Sequence, residues 1–250
     1  MQRRSLIKGA ILAGGAALLA GARATPAAAG QSMASSSESL SFAPDVPLAP
    51  PAGRQIKVAF IISDGFNMID MVGPMQTFMQ VAPLSGKDDD PAPFETFTVG
   101  DKIGPMKGYQ NVIVTPNYTF DTVPDADIVC VGAQSGLTPA HLDYLRGMHA
   151  KGKLVMSVCT GVGALAKSGL LDGLTATTHH NYIDHFNETY PKVKFVADKA
   201  WVHAAPLIFT AGGETSGFEL ALHIVQLYYG RDVAVATARS MEYRGPAWQA

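Results

Sequence analysis

The stretch LVMSVCTGVGALAKSGLLDG, Leu154 to Gly173, decides how the rest of the chain is read. Leu154 to Val158 read as a buried strand. Cys159 and Thr160 follow, then Gly161 and Gly163, and then a helix from about Val162 to Gly169. A residue at a sharp strand-to-helix turn has its side chain raised at the carboxyl end of a parallel sheet. It also sits at the positive end of the following helix, which favours a thiolate. The small neighbours let backbone approach a bound molecule closely. A buried cysteine closing a core strand fits the same letters. On this stretch alone Cys159 is either a nucleophile on an elbow or part of the core.

The chain has 250 residues, 47% of them hydrophobic, and a formal net charge of −2. That suits one good-sized domain with a full core, with room for appendages. The near-neutral balance gives no electrostatic reason to expect a nucleic-acid partner. Two cysteines do not make a disulfide framework.

Residues 1–29 read as an export signal rather than as part of the fold. Arg3 and Arg4 open the run RRSLIK, a small-apolar stretch follows from Gly9 to Gly21, and A-x-A sites allow cleavage after Ala24 or Ala29. The apolar run is too short and glycine-rich to anchor the protein stably in a membrane. The arginine pair, with Lys8 and with Leu6 at the usual phenylalanine position, resembles a twin-arginine signal. A periplasmic or secreted protein is the expectation. Residues 30–53, rich in Ser, Ala and Pro without periodicity, read as a mobile linker, so the domain is expected to span 54–250.

From Arg54 the chain alternates strands and helices. QIKVAFIIS, Gln55 to Ser63, is an apolar strand. After it, Gly73-Pro74 is expected to start a helix with proline in its first turn. Asp70 precedes that start in apolar company, where it is either a helix cap or a functional group. Strands are expected at Phe94–Val99, Gln110–Val114 and Asp127–Val131, the last with Cys130 in the core. Thr138 to Lys151 reads as a helix. Past the elbow come a short extended piece, Thr175–Thr178, a helix to Tyr190, and strands at Val193–Val196 and within Trp201–Thr210. GGETSG, Gly212 to Gly217, leads into a long amphipathic helix ending at Gly230, and a last helix follows from Asp232. This order predicts a three-layer α/β sandwich with a mostly parallel central sheet, flavodoxin-like, with its nucleophile elbow at Cys159.

Four motifs occur in order: MIDMVGP, SVCTGVGALAKSGLLDG, TTHH and FTAGGETSGFELALHIVQL. Together they resemble the ThiJ/PfpI superfamily, of the class I glutamine amidotransferase-like fold, across Arg54 to Tyr243. Ile69-Asp70-Met71-Val72-Gly73-Pro74 is similar to the LDxxGP pattern of isonitrile hydratases and of the sensor halves of AraC-type regulators. In the hydratases the family roles fall on residues matching Asp70, Cys159 and Thr160. Members usually carry Pro-Gly-Gly where this chain has Gly132-Ala133-Gln134. The first glycine of that motif supplies a backbone N–H near the sulfur, and alanine keeps that donor. Gln134 adds an amide the usual motif lacks, which leaves substrate choice open. Gly161 belongs to the same backbone wall.

His179 matches the family histidine, as a catalytic group or as a structural one. His179, His180 and His185 lack a Cys or carboxylate to complete a known metal spacing, and no metal is expected. The resemblance implies a cofactor-free cysteine enzyme, a homodimer, whose partner is a small-molecule substrate. In the leading reading Cys159 adds to an isonitrile carbon, and Asp70, its pKa raised among apolar side chains, protonates that carbon and then activates water. Thr160 would orient water or the substrate nitrogen. A glyoxalase or deglycase using the same cysteine with a carboxylate and His179, and a binding or redox-sensing module, are the alternatives. A DNA-binding regulator is disfavoured, because no helix-turn-helix segment is read before Ala250.

Overall fold

Strands that are apolar at every position have two faces to bury. The computed structural model, which describes residues 42–248 apart from 85, 88 and 89, buries both. The export signal read at 1–29 lies outside the described residues.

The strands are β1 (Ile56–Ile61), β2 (Phe94–Gly100), β3 (Met106–Lys107), β4 (Ile113–Val114), β5 (Tyr118–Thr119), β6 (Ile128–Val131), β7 (Leu154–Val158), β8 (Thr175–Ala176), β9 (Lys194–Phe195), β10 (Trp201–Ala205) and β11 (Ile208–Ala211). Seven of them form one sheet in the order β10-β11-β7-β6-β1-β2-β5, in which only the β10–β11 pair is antiparallel. β3 with β4 and β8 with β9 make two small satellite pairs.

Successive side chains on a strand point to opposite faces. Val58, Phe60, Ile128, Cys130, Leu154, Met156 and Val158 therefore pack on one side, with residues of helices α1 (Met68–Met79), α5 (Ser216–Tyr229) and α6 (Arg231–Ser240). Ala59, Ile61, Val129, Val131 and Val155 face the other side, with α2 (Pro139–Ala150), α3 (Val162–Lys167) and α4 (Ile183–Thr189). The result is the three-layer sandwich, and Cys130 is core as expected.

Connections leave β1 toward β2 on one side and return to β6 on the other, so the order reverses there. Ligand sites of open parallel sheets gather at the carboxyl ends of strands around such a point. The segments there are Asn67 to Asp70 after β1, Gly132 to Gln134 after β6, Cys159 after β7 and Gly212 to Glu214 after β11.

The structure corrects the sequence in three places. First, the helix expected to start at Gly73-Pro74 starts at Met68, with Pro74 inside it and Asn67 at its N-cap. Asp70 is in the first turn, not a cap. Second, the strand read at Gln110–Val114 is only Ile113–Val114, because Asn111 turns through the left-handed region at φ 62°. Third, the residues of the expected linker from Phe42 to Pro50 lie on the domain. Ala43 N–H donates to the His203 carbonyl at 3.0 Å and Leu48 N–H to the Leu227 carbonyl at 2.8 Å. One Asp45 oxygen lies 3.2 Å from both His203 Nδ1 and His223 Nε2. Composition suggested mobility, but these contacts fix the segment.

Candidate active site

Cys159 is the first residue of a short 3₁₀ turn between β7 and α3. Its φ is 58°, a left-handed conformation that costs a non-glycine residue about 1–3 kcal/mol and persists only where neighbours enforce it. They do so at both ends of the residue. Cys159 N–H donates to the Gly212 carbonyl at 2.8 Å, and the Thr178 hydroxyl donates to the Cys159 carbonyl at 3.0 Å. Gly161 lets the turn press against the end of β6, since a Cβ there would stand 2.3 Å from the Val131 carbonyl oxygen.

Asp70 reaches the same place from α1 and is fully buried. Its Oδ2 accepts the Ala133 N–H at 2.9 Å, and its Oδ1 accepts from Asn67 Nδ2 at 3.4 Å. The Cys159 thiol lies close enough to this carboxylate for each to shift the other's titration. Gly132 makes room for it, because a Cβ on residue 132 would lie 2.6 Å from Asp70 Cβ. Asn67 is itself held by two bonds. Its N–H donates to the Ala133 carbonyl at 2.8 Å, and its side-chain oxygen accepts from Gln110 Nε2 at 2.5 Å.

The electrostatics differ from the expectation for an elbow cysteine. Burial, with the Asp70 charge second, pushes the Cys159 thiol up to about 12, although the backbone N–H groups of Thr160 and Glu214 act the other way. Burial also pushes the Asp70 carboxyl up to about 7, aided by the Glu214 charge and opposed by the Ala133 N–H and the thiol. The helix end does not make a standing thiolate. Two acids sit side by side, and the carboxyl releases its proton first.

The remaining expected residues divide. Gly132, Ala133, Gly161 and half-buried Thr160 are at the pair. The Ala133 N–H, expected near the sulfur, is directed at Asp70 instead. Gln134 turns back into the fold. Its oxygen accepts from the Ser63 hydroxyl at 2.8 Å and its nitrogen donates to the Ile61 carbonyl at 3.1 Å. It braces the end of β1 rather than offering a free amide. The His179 ring stacks on His180 and lies against Gly213, and its Nδ1 accepts the Asn181 N–H at 3.2 Å. Among the described residues no group of three or more His, Cys, Asp or Glu is placed to share a metal ion.

Beside the elbow is a cavity of about 530 Å³ lined by residues 177–180, 197–200 and 212–216. It meets the cysteine through Thr178, Gly212 and Glu214. Asn67, Gln110, Thr178 and Glu214 were not singled out in the sequence. Only Asn67 carried a signal, as a capping residue type just before MIDMVGP.

A model of the DJ-1/PfpI family matches residues 56–227. The chain belongs to that family. An isonitrile hydratase of Pseudomonas putida is 28% identical over 193 residues, 75% of this chain and 78% of that protein. The HTH-type transcriptional regulator GbdR of Pseudomonas aeruginosa is 27% identical over 208 residues, 81% of this chain but 54% of the regulator. The chain thus spans about half the length of that relative. Among solved structures, Drosophila melanogaster DJ-1beta superposes with a TM-score of 0.63 at 18% identity, covering 77% of this chain and all of that one. The DJ-1/PfpI fold is therefore shared by relatives described as an enzyme and as regulators.

Proposed function

We propose that this DJ-1/PfpI protein is a cofactor-free cysteine enzyme that hydrates isonitriles to N-substituted formamides. The observation that carries the reading is the fully buried Asp70 carboxyl, held by the Ala133 N–H beside the Cys159 thiol and pushed by burial up to about 7. His179, which the glyoxalase reading needs, uses its Nδ1 on Asn181. Buried negative charge at Asp70, with Glu214 nearby, also favours an uncharged reacting group.

The resting pair holds one proton above about pH 7, as thiol and carboxylate. Asp70 takes the thiol proton as sulfur attacks the terminal carbon of R–N≡C. Asp70 then delivers that proton to the carbon, which gives the thioimidate R–N=CH–S–Cys159. Asp70 is again a carboxylate and draws a proton from water as the oxygen adds to the same carbon. That proton passes to nitrogen, and collapse of the adduct expels the thiol and leaves R–NH–CHO. The sum is R–NC plus H₂O. The one-proton state serves both halves, because a carboxylic acid at rest would have no base for water in the second half.

Purified protein is to be assayed with a small alkyl isonitrile, the formamide read by proton NMR, and with methylglyoxal in parallel. Formamide production supports the proposal. Turnover of methylglyoxal without formamide transfers the site to the glyoxalase reading, and turnover of neither favours a binding or regulatory role.

A further inference from the structure

The cavity of about 530 Å³ beside the elbow has no part in the proton transfers above. Cys159 is bonded through its N–H to Gly212 and through its carbonyl to Thr178, both of which line the cavity, so the elbow stands at the cavity's edge. A substituent on a carbon bonded to the Cys159 sulfur has this space next to it.

Two lining residues, Asp198 and Glu214, have φ of 57° and 40°. With Cys159 at 58°, left-handed non-glycine residues concentrate around this opening, as strain does at functional sites. The cavity also contains the start of α5, which would ordinarily attract anions. Here the first N–H groups are already used. Ser216, Gly217 and Phe218 donate to the carbonyls of Gly213, Glu214 and Thr215 at 3.2, 3.3 and 3.1 Å. Lys199 holds its ammonium 5.8 Å over the Phe42 ring. Glu214 lines the cavity two residues from Gly212, which bonds Cys159, and its charge acts on both Asp70 and Cys159.

We propose that this cavity receives the substituent of the substrate and that Glu214 sets its charge preference, favouring ammonium-bearing substituents over carboxylate-bearing ones. The identity of the reacting group rests on the hydratase reading; the charge preference does not.

The test therefore includes a readout that needs no turnover. Wild type and Glu214→Gln are alkylated with 2-bromoethylamine, a cation, and with iodoacetate, an anion, at low salt, and Cys159 labelling is quantified by peptide mass mapping. The intrinsic reactivities cancel when the cation-to-anion ratio is compared between proteins. The ratio is expected to fall on the order of tenfold in Glu214→Gln, the Coulomb effect of one charge in a partly wet site. It should stay near wild type in Glu214→Asp and shrink in wild type at about 1 M salt. A ratio unchanged within about twofold in Glu214→Gln overturns the proposal. Isonitriles bearing an ammonium or a carboxylate should show the same order in kcat/KM. If neither is hydrated while the labelling ratio responds, the hydratase reading falls and the charge filter stands.

Discussion

Asp70, a carboxyl group with no solvent exposure, is brought beside the Cys159 thiol from the far side of β6 by the first turn of α1, and each raises or lowers the other's pKa. A buried carboxyl of this kind makes the stability of the fold depend on pH. Asp70 is raised from its ordinary 3.8 to about 7, so between these values the folded protein holds a proton that the unfolded chain releases. Stability contributed by this group is greatest below about pH 4 and is lost as pH rises to about 7. Asp70→Asn removes the titration. Its melting temperature should exceed that of wild type at pH 8, by an amount equivalent to at most about 4 kcal/mol, and the advantage should vanish toward pH 4. Thermal melts at both pH values check this; an advantage independent of pH contradicts it.

Gly132 is the spacer between the end of β6 and Asp70. In Gly132→Ala the new methyl would meet Asp70 Cβ at 2.6 Å, and neither atom is at the free end of a flexible chain. A loss of about 1–3 kcal/mol in stability is expected, together with reduced turnover, because Asp70 must move away from the thiol. Denaturant unfolding alongside the isonitrile assay reads both. Wild-type behaviour in both would show that Asp70 need not be held against this strand end.

Asp45 fastens the Phe42–Pro50 segment to β10 and α5 through His203 and His223, both buried. Asp45→Ala leaves two buried rings without that acceptor and should cost about 1–3 kcal/mol. It should also expose the segment to protease. Limited proteolysis that cuts wild type and variant equally fast would return this segment to the mobile linker that its composition suggests.

The export reading concerns residues outside those described. Replacing Arg3 and Arg4 together by Lys is expected to retain the precursor in the cytoplasm, because the twin-arginine receptor reads the pair itself. Fractionation of cells expressing each form tests it, and unchanged export would replace the twin-arginine signal by a general secretory one.

The central sheet was legible because β1, β6 and β7 are apolar at nearly every position, and only strands covered on both faces need that. The elbow was legible from the small residues that follow Cys159. The sequence misplaced the start of α1, since proline usually marks a first turn. Pro74 is instead the seventh residue of the helix, where its missing N–H deprives the carbonyl of Asp70 of its ordinary partner. The direction of the Cys159 shift was also hidden. It depends on burial and on charges at Asp70 and Glu214, which lie far from the elbow in sequence. Glu214 read only as part of a tight loop, because nothing in GGETSG announces a left-handed glutamate that lines the cavity beside the elbow.

The most direct test of the Asp70–Cys159 pair is kcat/KM for isonitrile hydration from about pH 5 to about pH 9, measured on wild type and Asp70→Asn. The wild-type value should climb with pH and level off above about 7, as the pair reaches its one-proton state. Asp70→Asn should be slower by about 10²–10⁴-fold and lack that rise, the usual effect of removing a positioned acid or base. A near-wild-type rate in Asp70→Asn would contradict the mechanism.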